Sequence, residues 1–294
     1  MTFDSRHLRV TIALKSGSFE GQGKNDTIIM EGYRTSVNIQ NAGGRLASGS
    51  ATVRIWGLRP DLMNQIYMLQ APVKSNDIRP NAIRIEAKEG EGEYVTVFEG
   101  QVYYCTPDYN AAPNVYMQIE ARACAFLMWH VPPPNSKKGT QKVADLIGAI
   151  AQSVNLQFKN NGVTETVTDA YVSGSAINQM RELARAAGVM IDIDRGAVTI
   201  WPNGRGNGSP VIDLSPATGL VGYPKMELAG VTVDMLYNPN IDIGREVKLT
   251  TSISQLCGQW FVQQYHHMLD AELPNGKWFT SAFMTRLAYS VARN

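Results

Sequence analysis

Two adjacent histidines, His266 and His267, sit in "QWFVQQYHHML" (259–269). Imidazoles are the commonest metal ligands and neutral-pH bases, so this pair is the first place to look for chemistry. The surrounding alternation is that of a strand, and neighbouring strand residues project to opposite faces. The two rings cannot hold one metal ion from there, and the nearest other histidine, His130, is remote in sequence. Both read as ordinary strand residues. Asp192 and Asp194, in "VMIDIDRG", share a strand face and could serve as paired carboxylates for acid–base or glycosidase work. A turn follows at once and no third group joins them, which favours a solvated face. Ser173 and Ser175 stand where a helix begins and would cap its backbone N–H groups; no G-x-S-x-G elbow surrounds either.

The remaining motifs are equally unproductive. "GRGNGS" lacks the Lys-Ser/Thr of a phosphate loop and precedes strands instead of a helix, so it reads as a linker. Cys105, Cys124 and Cys257 are odd in number without C-x-x-C spacing, and read as reduced, partly buried residues of a cytoplasmically made protein. Trp56, Trp201, Trp260 and Trp278 all lie on expected strands, where core packing or subunit contact accounts for each as well as ligand stacking would. The expectation is no catalytic residue, no metal site and no cofactor.

Residues 8–130 are organised almost entirely as strands. "LRVTIAL", "TIIMEGYRTSVNIQ", "SATVRIWGL", "AIRIEAKE", "YVTVFEGQVYYC" and "VYMQIEARA" each alternate. "NAGG" (41–44) and "EGEGE" (89–93) punctuate them as turns. One helix, "PDLMNQIYML" (60–69), opens on a tolerated proline with Leu62, Ile66 and Leu69 on one face. "VPPPNSKKG" (131–139) then reads as a stiff spacer, with "SKKG" as a solvated loop. Over 140–203 the period becomes helical in "TQKVADLIGAIAQSVN" and "SAINQMRELARAAG", the latter ending at Gly188. A hairpin, "VMIDIDRGAVTIWP", completes this part. "NGRGNGSP" (203–210) reads as a flexible hinge, after which strands resume in five segments ending with "WFTSAFMTRLA" (278–288).

The expected division is a first β-barrel with one flanking helix at 1–130, a Pro-rich linker at 131–139, a small α+β module at 140–203, and hinge plus second β-barrel at 204–294. Its two β-regions are faintly alike. The separation from Phe98 to Tyr116 equals that from Phe261 to Phe279, and the preceding "AIRIEAK" and "REVKLTT" match with a shift of one residue.

Composition limits the possible partners. The chain has 294 residues, enough for two or three domains, with Lys+Arg 27 against Asp+Glu 26. Nucleic-acid binders normally carry a clear basic excess, which is missing here. The N-terminus lacks a signal-peptide pattern, and no stretch approaches the roughly 20 apolar residues of a membrane span. A soluble, internally made protein is expected.

"AINQMRELARAAGVMIDIDRGAVTIWPNG" and "GREVKLTT…GQWFVQQYHHMLDAELPNGKWFTS" resemble the baseplate hub proteins of contractile-tailed phages, including the late-control protein D type. Gly244, Val247, Leu249, Gly258, Trp260, Val262, His267, Leu269, Trp278 and Thr280 occupy that family's pattern. The likeness covers most of 140–288 and extends to the first β-region by order and strand count. It implies a mainly β fold in which two tail-tube-like antiparallel barrels share one chain, with a small α+β module between them. It implies a homotrimer forming a pseudo-sixfold ring, between a hexameric tail tube or distal tube protein above and a trimeric spike below. Neighbouring baseplate proteins would surround it, and DNA would be transient cargo in the lumen. Such a protein belongs to the virion, is assembled in the host bacterial cytoplasm, and has no stable membrane association. On this reading His267 is structural, the near-neutral charge suits a duct for DNA, and ring interfaces would bury about 2,000 Å² or more per pair.

Three rivals stand beside it. A tail-associated peptidoglycan hydrolase would use Glu182, Asp192 or Asp194. A type VI secretion spike base would usually continue into a β-helical needle, whereas this chain stops at Asn294. A carbohydrate-binding β-protein would be a monomer with glycan affinity.

Overall fold

The computed structural model describes residues 5–14, 19, 25–42, 49–67 and 81–286. In chain order these form β1 (Arg6–Ala13), β2 (Thr27–Glu31), β3 (Thr35–Ala42), β4 (Ser50–Trp56), α1 (Pro60–Tyr67), β5 (Ala82–Glu89), β6 (Val95–Asp108) and β7 (Tyr116–Arg122). Then follow α2 (Phe126–Trp129), β8 (Asn135–Lys142), α3 (Val143–Ser153), β9 (Gln157–Asn160), β10 (Thr166–Val172), α4 (Ala176–Ala187), β11 (Val189–Asp194) and β12 (Ala197–Pro202). The chain ends with β13 (Ile212–Leu214), β14 (Leu220–Glu227), β15 (Gly230–Leu236), β16 (Glu246–Leu249), β17 (Gly258–Ala271) and β18 (Trp278–Thr285). The protein is mainly β, as the alternation requires. No helix among the described residues is long and apolar enough to cross a membrane.

Two compact units emerge. Unit 1 comprises 1–40, 49–126 and 267–279; unit 2 comprises 41–48, 127–266 and 280–294. In unit 1 the strand order is β3-β4-β7-β6-β5-β1-β2. Its core is a ladder of facing apolar residues. Val10 lies opposite Ile85 and Ile12 opposite Ile83, while Val53 stands between Val37 and Ile119; all are buried. Period-2 alternation puts these side chains on one face and leaves Arg9, Arg54 and Gln118 on the other. Helix α1 buries Leu62, Met63 and Ile66, and the Cys105 thiol donates to the Ile66 carbonyl at 2.8 Å. The expected helix continues to Leu69, which lies outside the described residues, as do Gly43 and Gly44 of "NAGG" and residues 287–288 of the last expected strand.

Unit 2 holds α3, α4 and the hairpin β11–β12, with β9 added parallel to β12. Gly188 ends α4 in the left-handed conformation (φ 68°), as its lack of a Cβ allows. The "DRG" turn has positive φ at both Arg195 and Gly196. A second apolar core gathers Trp201, Val231, Val233, Ile243, Val247, Trp260, Val262, Tyr265 and Met284.

Three local readings change. "SKKG" is not a loop: it lies on β8, which pairs antiparallel with β10. β8 is polar and largely exposed, and β10 buries only Val172, so no buried alternation marked them in sequence. Within the glycine-rich 203–210 stretch, Asn207 is buried and its Nδ2 donates to the Ile243 carbonyl at 2.9 Å. Ser175 holds the N-cap position of α4 without a side-chain cap bond.

A strand order occurs twice. In the first motif it runs β3-β4-β7-β6-β5-β1; in the second it runs β14-β15-β18-β17, with β16 beside β17 and β13 beside β16. The long strands β6 and β17 each have 14 residues, with Phe98 and Phe261 in the fourth position of each. The copies differ at their margins: β1 meets β5 antiparallel, whereas β13 meets β16 parallel.

Candidate functional site

Strand β17 separates the two histidines as strand geometry demands: His267 is buried and His266 half-buried. Among the described residues, no group of three or more His, Cys, Asp and Glu side chains could hold a metal ion. Three of the four tryptophans singled out in sequence are core residues. Trp201 and Trp278 are almost fully buried, and Trp260 donates from Nε1 to the Leu256 carbonyl at 2.8 Å. Trp56 instead sits half-buried beside Tyr116, ring centroids 5.4 Å apart. Glu182 and Ser173 are exposed, on and before α4 respectively.

The carboxylates of β11 are not a solvated face. Arg195 Nε lies 3.0 Å from Asp194 Oδ2, and its Nη2 lies 3.2 Å from Asp242 Oδ1. Arg245 approaches the other Asp242 oxygen at 3.6 Å. The Tyr265 hydroxyl donates to Asp194 at 3.5 Å and accepts from Asn41 Nδ2 at 3.5 Å. Burial pushes the Asp192 carboxyl up to about 7, reinforced by the charges of Asp194 and Asp242. Burial also lifts Asp194, against the pull of Arg195. It lifts the Tyr265 phenol well above its ordinary value, with the Asp194 charge adding to the effect. Burial lowers Arg181 on α4, and the Asp192 charge opposes that. Desolvation works against Arg195 too, but Asp194, Tyr265 and Asp242 outweigh it and hold its charge firmly. This network ties β11, the 242–245 loop and β17 of unit 2 together. Its members are far apart in sequence, so only the fold brings them into contact. A perturbed carboxyl of this kind can mark catalysis or a structural ion network. Here the ion pairs and hydrogen bonds of Asp194 and Asp242 run to Arg195, Arg245 and Tyr265, the pattern of a structural ion network.

The exposed surfaces are more distinctive. On the outward face of β4, β7 and β6, arginines lie over aromatic rings. Arg34 is 4.6 Å from the Trp56 centroid and Arg122 is 4.8 Å from that of Tyr103. On the β14–β15 hairpin Tyr223 is 74% exposed and Met226 70% exposed, with Leu228 fully exposed. Sequence reasoning assigned strands here but missed this surface. The signal was present: Gly222 and Pro224 break the alternation, so these apolar residues lack the inward phase kept by Val231, Val233 and Met235 on β15.

Comparison with known proteins agrees with this architecture. A family model described as baseplate hub gp41 matches residues 7–272. No curated protein sequence matches. Among solved structures, a tail protein from Neisseria meningitidis MC58 superposes with a TM-score of 0.62 at 11% identity, covering 95% of this chain and 96% of that one. The 43 kDa tail protein of prophage MuSo2 from Shewanella oneidensis gives 0.60 at 11% identity, again with 95% and 96% covered. The E. coli c3393 protein, described as a type VI secretion component structurally similar to phage T4 gp27 and gp5, gives 0.56 at 8% identity, with 88% and 74% covered.

Proposed function

This chain belongs to the baseplate hub gp41 family, a structural part of the phage tail and virion, and from that membership we propose that three copies form a pseudo-sixfold ring joining tail tube to spike. Each copy would supply two tail-tube-like barrels, so that threefold symmetry meets a hexameric tube on one side and a trimeric spike on the other. The observation that carries the reading is the strand order found twice in one chain. A duplicated unit is what lets three polypeptides present six similar surfaces.

The first barrel would occupy 1–130 and the second 204–294, with the α+β module of 140–203 on the outside of the ring. The ring would be assembled in the host cytoplasm, contact neighbouring baseplate proteins, and pass DNA without retaining it. Its chemistry is interface formation, and the buried ion network of unit 2 would stiffen the subunit. The likeness to a type VI secretion component keeps a spike-base role as the second reading.

Electron microscopy of tail tips, with the copy number counted by native mass spectrometry, tests the proposal. The expected result is three copies between tube and spike; one copy per tip, or six, overturns it. A turbidity assay on purified peptidoglycan tests the structural role, because clearing that disappears in Asp192→Asn would make the protein a hydrolase.

A further inference from the structure

The sequence holds four Asn-Gly pairs, at 161–162, 203–204, 207–208 and 275–276. Asparagine is a thermolabile residue, and a following glycine, lacking a Cβ, lets the backbone turn back onto the side chain. The backbone nitrogen after the asparagine can then attack the side-chain Cγ. Two groups must be at liberty for this: the amide that is attacked and the N–H that attacks. The fold treats the four pairs differently.

Asn207 is buried, and both ends of its amide are engaged. Its Nδ2 donates to the Ile243 carbonyl at 2.9 Å, and its Oδ1 accepts from the Ser209 N–H at 3.0 Å. Asn161 donates from Nδ2 to the Asn207 carbonyl. At 275 the attacking group is tied, because the Gly276 N–H donates to the Leu273 carbonyl at 3.1 Å. That glycine is also hemmed in: a Cβ there would stand 2.7 Å from the Asp270 Cβ. Asn203 and Gly204 have neither restraint. Both are exposed in the turn that follows β12, and a Cβ on Gly204 would meet nothing within 4 Å. Among the described residues, neither the Asn203 amide nor the Gly204 N–H makes a hydrogen bond.

We propose that Asn203 is a site of spontaneous modification, cyclising onto Gly204 in the folded protein while the other three asparagines are preserved. The Gly204 nitrogen bonds to Cγ of Asn203, the Cγ–Nδ2 bond breaks, and the displaced nitrogen leaves with the Gly204 proton as ammonia. Water then opens the cyclic imide at either carbonyl. Attack at Cγ gives an ordinary aspartate; attack at the backbone carbonyl gives an isoaspartate, whose main chain runs through the side chain. Nothing is oxidised or reduced, and water is the one co-reactant. Either product places a carboxylate two residues before Arg205, in the segment leading from β12 to the buried Asn207. It takes the formal net charge of the chain from +1 to zero. The change accumulates with time and quickens as pH rises, since the attacking nitrogen must shed its proton. It is independent of the ring reading above.

The test stores the full chain in mildly alkaline 18O water, either folded or unfolded in guanidinium chloride, and then digests it with trypsin in ordinary water. Cleavage after Arg195 and Arg205 isolates residues 196–205, in which Asn203 is the one side-chain amide. In the folded chain this peptide should take up 18O and gain an acid at 203, as aspartate and isoaspartate. Its rate should exceed those at 161, 207 and 275 by about tenfold or more, because those pairs must first open locally. In denaturant the four rates should converge. A folded chain in which 203 stays intact while the unfolded chain converts overturns the proposal, as does any of the other three converting first. Asn203→Gln lengthens the side chain and enlarges the ring that must close. The variant should keep the parental melting temperature and lose the early acid form. If its intact mass still shifts at the parental rate, the site lies elsewhere and the assignment fails.

Discussion

The backbone of Gly244 lies so close to the indole of Trp201 that a Cβ at position 244 would stand 2.4 Å from Cζ2. The glycine also has φ 76°, a conformation that L side chains rarely adopt, and the indole is completely buried. Two constraints therefore converge on one position: the turn before β16 needs the left-handed region, and the core of unit 2 needs the space.

Gly244→Ala should cost about 3 kcal/mol, because overpacking and positive-φ strain each contribute on the order of 1–3 kcal/mol. The check is the urea midpoint at constant slope. Trp201→Phe, which shortens the ring system at the clash, should recover part of the loss when combined with Gly244→Ala. If the two substitutions are strictly additive, the contact is not the cause.

Asp192 gives a pH signature. Folded, it keeps its proton up to about 7; unfolded, it loses it near pH ~4. Between those values the folded state binds more protons, so stability falls as pH rises from about 4 to 7 and then levels off. Asp194, also raised, acts in the same direction. Asp192→Asn should match the parent below about pH 4, exceed it at pH 8, and show a flatter profile of melting temperature between. A variant less stable than the parent at pH 8 would mean that Arg181 gains more from the Asp192 charge than the fold loses by burying it.

Arg195 compensates two carboxylates, and the Asp194 side chain is only 11% exposed. Removing the guanidinium strands those charges, and breaking a buried pair costs about 3–5 kcal/mol. Since 31% of the Arg195 side chain remains exposed, Arg195→Ala should fall at the lower end, about 3 kcal/mol. Arg195→Ala with Asp194→Asn should be milder than Arg195→Ala alone. The two chemical denaturation curves decide it.

How much of this was legible follows from distance along the chain. Val10, Ile12, Val53 and Ile55 declared their strands because alternation is local, and Gly188 declared the end of α4 because a missing Cβ is local too. The hub resemblance was readable for the same reason: Gly244 and Trp260 stand close together in sequence. Strands β8 and β10 stayed hidden because β8 is polar and β10 buries only its last residue, Val172. The ion network stayed hidden because Asn41, Asp194, Asp242 and Tyr265 meet only after folding. That β14 ends the strand order required knowing which strand lies next to which, and alternation carries no such information.

Gln179 offers the last test. Its side chain has no exposed surface, and Nε2 lies 3.3 Å, 3.4 Å and 3.1 Å from the carbonyls of Pro132, Pro133 and Gly174. Prolines have no N–H, so a Pro-rich segment can be fastened only through its carbonyls. The N–H of Ala176 adds a bond to the His130 carbonyl at 3.0 Å, so the first turn of α4 grips residues 130–133. Gln179→Ala loses the donor to the buried Pro132 carbonyl, at about 1–3 kcal/mol. Gln179→Leu restores most of the volume but no donor. If the bonds matter, Leu should be nearly as destabilised as Ala, and limited proteolysis should cut faster near 130–139 in both. If Leu returns to parental stability, the side chain is only filling space, and the segment is held by something other than α4.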